Sequence, residues 1–132
     1  LSYTTIAILF LYMVGFYVLL ISLKMNKWIA VAGAVAFAFG SYNLIIIMAG
    51  HITKAYAIAL MPAVIAGVML TFSGKRIVGA IFTMVALGLQ LAYNHVQITY
   101  YLALALIPLI VAQFVFAIKD AGNQLNNFYK AR

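Results

Sequence analysis

The chain has 132 residues, 68% of them hydrophobic and 7% charged, a composition far outside that of a water-soluble domain. Its net charge of +7 arises from eight Lys and Arg against one acid, Asp120, and it has no cysteine, so thiolate metal sites and thiol redox chemistry are excluded. The basic residues stand singly or in pairs between apolar runs, a pattern of topology signals and not of a nucleic-acid patch, so no nucleic-acid partner is expected and the lipid bilayer is.

At roughly 20 apolar residues per crossing, about five crossings fit, so the expected fold is all-α, a polytopic transmembrane helical bundle over 1–118. The first span is predicted over 5–23 and stops at Lys24-Met25-Asn26-Lys27. The second, 28–49, opens on Trp28 and repeats small residues at four-residue spacing, Ala30/Ala34/Ala38 and Ala32/Ala36/Gly40, which predicts close helix packing and a central place in the bundle. Its later half carries Tyr42 and an intramembrane amide, Asn43, that needs a partner.

A third span, 56–72, contains Pro62 and is predicted to kink. A fourth, 77–93, places Gln90, Tyr93, Asn94 and Gln97 at i, i+3, i+4 and i+7, one polar stripe if the helix persists that far. The fifth, 99–118, contains Pro108. The remaining 119–132 reads as a cytoplasmic interfacial segment or a linker. Leu1 is not an initiator methionine and no basic leader precedes the first apolar run, so the chain reads as a piece of something longer.

If five spans alternate, Lys24, Lys27, Lys75, Arg76, Lys119, Lys130 and Arg132 fall on one side and only Lys54 on the other. That bias predicts the N-terminus outside and the C-terminus cytoplasmic. Both histidines then share the outer face. A catalytic zinc needs three protein ligands, and two histidines with a distant aspartate do not supply them. Ser-His-Asp and paired-carboxylate chemistry fail for want of acids.

What is left is a polar patch of His51, Thr53, Lys54, Asn94, His95 and Gln97, with Tyr42, Asn43 and Gln90 just beneath, suited to a phosphate-bearing lipid or a sugar. Each residue also has a plainer reading. Lys54 can snorkel, the histidines can cap helix ends, Asn43 and Gln90 can join helices, and the tyrosines can form a membrane belt. Two further function classes stay open: a transporter or flippase-like module using the proline-bearing spans, and a structural subunit docking with envelope-protein partners.

The runs Ala38-Phe39-Gly40-Ser41-Tyr42, Ala49-Gly50-His51-Ile52-Thr53-Lys54-Ala55, Ala57-Ile58-Ala59-Leu60-Met61-Pro62 and Tyr93-Asn94-His95-Val96-Gln97-Ile98-Thr99-Tyr100-Tyr101 resemble the bacterial YfhO family of large multi-span membrane proteins. The resemblance covers essentially the whole chain and makes it similar to an internal fragment of such a protein. The family is similar to the GT-C class of glycosyltransferases, which take a sugar from a polyprenyl-phosphate donor at the extracytoplasmic face of the inner membrane. The resemblance implies a carrier or acceptor cavity formed partly by this chain. It implies no cofactor held by the chain itself, with the catalytic acid and any divalent metal belonging to upstream residues.

Overall fold

In hydrocarbon a backbone amide has no water to bond, so each apolar run must satisfy its own N–H and C=O groups as a helix. The computed structural model describes residues 2–130, with side chains through Gln124, and its regular elements are α1 (Tyr3–Ser22), α2 (Lys27–Ala38), α3 (Ser41–Met48), α4 (Ile52–Phe72), α5 (Arg76–Ala92) and α6 (Val96–Lys130). The chain divides into two units, Leu1–Leu102 and Ala103–Arg132.

Three helices are long and apolar enough to cross a membrane: Tyr3–Ser22, Ile52–Phe72 and Val96–Gln124. The pair α2 and α3 makes a fourth if taken as one broken span, bent by 41° at Phe39-Gly40. These lengths and compositions mark a membrane protein in contact with lipid. α5, with 17 residues, is shorter.

Each of the four reversals contains one left-handed residue: Lys24 (φ 60), Gly50 (φ 78), Gly74 (φ 96) and Asn94 (φ 54). At Gly50 the positive φ lets the chain fold back on α3, with the Gly50 and His51 amides donating to Ile47 and Ile46 carbonyls at 3.1 and 3.2 Å. The α2–α3 break is built differently. There the Asn43 side-chain amide donates to the Phe37 carbonyl at 2.7 Å, joined by the Gly40 amide at 3.2 Å, so a carbonyl at the end of α2 is satisfied inside the span.

The centre of the Leu1–Leu102 unit is α4, with α1 and α5 packed along it and α3 touching it. This corrects the expectation that the second span would be central. Its small-residue face does pack, since Ala30, Ala34 and Ala38 are buried, but against α1, while Ala32 and Ala36 stay exposed. α4 takes the centre because its own small residues, Ala55, Ala57, Ala59, Ala63, Ala66 and Gly67, are distributed around the helix and admit a neighbour on more than one side.

Two close crossings define that packing. On α1, a Cβ at Gly15 would stand 2.8 Å from the Ala59 carbonyl oxygen, so only glycine admits the approach. Between α4 and α5 the contact is reciprocal: a Cβ at Gly67 would meet the Thr83 backbone nitrogen at 2.8 Å, and one at Gly79 would strike Thr71 and the Gly67 carbonyl. Both threonines fold back on their own helices, Thr71 Oγ1 to the Gly67 carbonyl at 2.9 Å and Thr83 Oγ1 to the Gly79 carbonyl at 2.8 Å. The same Gly-x-x-x-Thr spacing therefore occurs once on each antiparallel helix, and the two copies face one another.

α6 starts at Val96 and runs without interruption through Pro108, Lys119 and Asp120, so the helix continues past residue 118 into the segment read from the sequence as a tail. The side chains beyond Gln124, on which the interfacial reading of the tail rested, and Arg132 lie outside the described residues.

Gly79→Leu should lower stability by about 1–3 kcal/mol through overpacking, whereas Thr83→Val, which keeps the shape and removes one intrahelical bond, should cost about 0.6 kcal/mol. Unfolding in mixed detergent micelles, followed by circular dichroism, measures both; equal losses would show that close packing does not govern this pair.

Candidate functional site

The predicted polar patch is built from two turns of similar design. In the first, left-handed Gly50 precedes His51, whose carbonyl accepts the Ala55 amide at 2.9 Å and so begins α4. In the second, left-handed Asn94 precedes His95, whose carbonyl accepts the Ile98 and Thr99 amides at 3.0 and 3.2 Å and so begins α6. Asparagine tolerates the left-handed conformation better than other side-chain-bearing residues, which accounts for its place there. The imidazole of His51 makes no capping bond.

The two turns lie at one end of the Leu1–Leu102 unit. Tyr56, in the first turns of α4, stacks on Tyr93 at the end of α5 with ring centroids 4.6 Å apart and planes within 4°. One turn deeper, the Gln90 amide donates to the Ala57 carbonyl at 3.1 Å. Beneath them Ile46, Ile47, Ala55, Ile58 and Ile98 join in one buried cluster, so α3, α4 and the start of α6 meet there.

The nine predicted residues separate into three groups. His51, Thr53, Asn94 and Gln97 are exposed and Lys54 and His95 half-buried, forming a polar rim at this end. Within it Gln97 Nε2 donates to the Tyr101 hydroxyl at 2.9 Å along α6, and Thr99 Oγ1 to the His95 carbonyl at 3.4 Å. Asn43 and Gln90 are buried and engaged with backbone carbonyls, Asn43 within its own broken span and Gln90 across to α4. Tyr42 is exposed in the first turn of α3, at the mid-span break and away from the rim.

The expected stripe of Gln90, Tyr93, Asn94 and Gln97 does not form. α5 ends at Ala92, and the positive φ of Asn94 turns the chain, so Gln90 points into the α4 contact while Gln97 belongs to α6. Pro62 has no N–H for the carbonyl of Ile58, and Gln90 docks one residue earlier, on the Ala57 carbonyl, as a second donor beside the helix's own. The other amide atom, Gln90 Oε1, is buried without a partner, as is the Tyr12 hydroxyl on α1.

Among the described residues no three His, Cys, Asp or Glu side chains come together. The Leu1–Leu102 unit contains no carboxylate at all, because the one acid is Asp120. Two imidazoles without an acid do not fit a catalytic divalent metal, so the rim offers hydrogen bonds and positive charge.

At the far end of α4, 21 residues and so roughly 30 Å away, the cations gather: Lys24 and Lys75 line a common cleft between the C-terminal ends of α1 and α4. Sequence reasoning missed this cleft, the Tyr56–Tyr93 stack and buried Tyr12. It also missed the facing Gly-x-x-x-Thr pair, although the repeat Gly67-Val68-Met69-Leu70-Thr71 and Gly79-Ala80-Ile81-Phe82-Thr83 is visible in the letters.

Comparison of the chain with protein-family models, with curated proteins and with solved structures finds no match.

Gln90→Leu removes one interhelical bond and also the partnerless Oε1, so its net cost should stay near or below about 1 kcal/mol. A loss above about 3 kcal/mol, read from detergent unfolding of the variant, would show that Oε1 holds a partner of its own.

Proposed function

We propose that the chain is part of a GT-C-type envelope glycosyltransferase similar to the YfhO family, carried in the bacterial inner membrane. In this reading α1, the bent pair α2–α3, α4, α5 and α6 make five crossings, with the N-terminus outside and the tail cytoplasmic.

One observation carries it: along α4, whose length matches the roughly 30 Å hydrocarbon core, the paired cations mark one end and the histidine rim the other. The positive-inside rule makes the cation end cytoplasmic and leaves the rim at the extracytoplasmic headgroup layer. A polyprenyl-phosphate sugar donor presents its phosphate at that depth.

Lys54 acts on such a phosphate as a point charge, and the His51 imidazole and Thr53 hydroxyl donate to its oxygens. Asn94, His95 and Gln97, on the neighbouring turn, serve the sugar hydroxyls. Asn43 and Gln90 keep their backbone partners and hold the helices beneath. With no carboxylate in the Leu1–Leu102 unit, the chain has a binding role, and the acid and any divalent metal implied by the resemblance come from outside it.

In the full-length protein, Lys54→Ala combined with His95→Ala should reduce sugar transfer from the lipid-linked donor at least about tenfold, mostly as a raised KM, the loss of one charge-assisted and one neutral hydrogen bond. Unchanged transfer would remove the rim from the donor site. The chain lacks cysteine, so single replacements at Thr53 and Ser73 map the topology cleanly: Thr53→Cys should react with an impermeant maleimide added outside, and Ser73→Cys only after the membrane is opened. The reverse pattern would invert the orientation.

A further inference from the structure

The cation end carries a site of its own, separate from the histidine rim. Between the C-terminal ends of α1 and α4 lies a cleft of about 270 Å³ lined by Val18, Ile21, Ser22, Lys24, Leu70, Ser73 and Lys75. Its two ammonium groups have no counter-charge within the Leu1–Leu102 unit, since the chain's single acid, Asp120, belongs to the other unit.

Nor does the adjoining backbone need them. The Leu19 and Leu20 carbonyls at the end of α1 accept the Leu23 and Met25 amides at 3.1 Å each, and the Leu70 carbonyl at the end of α4 accepts the Lys75 amide at 3.2 Å. The serine hydroxyls are committed too: Ser22 Oγ donates to Leu19 at 2.7 Å and Ser73 Oγ to Leu70 at 2.9 Å. Each serine has therefore spent its proton and offers lone pairs to the cleft. Two cations and two acceptor oxygens suit an anionic headgroup that also bears hydroxyls.

The floor of the cleft leads away from water. Val18 also lines an apolar groove of about 180 Å³ between α1 and α5, which has Leu11, Val14 and Gly15 on one wall, Val85 and Leu89 on the other, and Ala59 and Ala63 of α4 beneath. The groove exists because these small residues recede between two larger walls. From Leu11 to Lys24 the path is about 20 Å long, enough to pass the midplane of a roughly 30 Å hydrocarbon core.

We propose that the Lys24–Lys75 cleft and the α1–α5 groove together bind one anionic phospholipid, its phosphate between the two lysines, its headgroup hydroxyls on Ser22 and Ser73, and one acyl chain along Val18 and Val14. The charge selects the headgroup and the groove holds the chain, so a lipid satisfies both parts where a soluble anion satisfies one.

The test uses the purified protein reconstituted in bilayers of equal phosphatidylglycerol and phosphatidylcholine, with retained lipid read by native mass spectrometry. The wild type should retain phosphatidylglycerol preferentially, and Lys24→Asn with Lys75→Gln should reduce that preference by roughly 30-fold, two surface cations' worth. Asparagine is used at Lys24 because it tolerates the left-handed backbone there. Val85→Trp, at an exposed position on the groove wall, fills the groove with both lysines intact and should lower retention of either lipid. Equal retention of the two lipids by the wild type, an undiminished preference in the double variant, or displacement of the lipid by inorganic phosphate would each overturn the assignment.

Discussion

The middle of α4 is the constraint on which the rest of the fold depends. Pro62 removes the donor for one carbonyl, and the buried Ala55, Ala57, Ala59 and Ala63 present only methyl groups, so the backbone beside them is open to approach. α1 comes within reach through Gly15 and α5 docks through the Gln90 amide and, further along, through Gly79. In lipid there is no hydrophobic gain from joining helices, so such van der Waals contacts and the few interhelical hydrogen bonds hold the bundle. A bulky residue in place of one of these alanines would hold a neighbouring helix off the α4 backbone.

That arrangement also sets what the intramembrane polar groups can do. Asn43 and Gln90 are amides already engaged with backbone carbonyls, one mending a broken span and one joining two helices. They are joists, and neither is an ionisable relay of the sort a proton-coupled transporter needs at that depth. Free hydrogen-bonding capacity is concentrated at the two ends of the unit, with the imidazoles and Lys54 at one and Lys24 and Lys75 at the other.

The sequence made the helical class and the positions of the turns legible because hydropathy and the polar breaks at Lys24–Lys27, Gly50–Lys54, Ser73–Arg76 and Tyr93–Gln97 are strong local signals. It also led correctly to the burial of Ala30, Ala34 and Ala38. It misjudged which helix is central, since small-residue spacing marks a close contact without saying how many neighbours share it. The polar rim was legible as a set of residues on two turns, whereas for Asn43 and Gln90, just beneath it, the sequence left ligand contact and helix joining as alternatives. Their actual partners are backbone carbonyls, Phe37 at the α2–α3 bend and Ala57 on α4, and a backbone acceptor leaves no trace in the side-chain pattern. The stripe failed for a similar reason: a single left-handed asparagine ended the helical period.

The shortness of α5 has a physical outcome for the surrounding membrane. Seventeen residues rise only about 25 Å, several ångströms less than an average hydrocarbon core, and the helix is bounded directly by Arg76 at one end and by Asn94 and His95 just past the other. In the proposed five-crossing reading, lipid beside α5 thins or its flanking polar groups draw headgroups inward. The hydrophobic barrier is then narrower along this flank than beside α4, and a polar headgroup travelling between the leaflets would meet less resistance there.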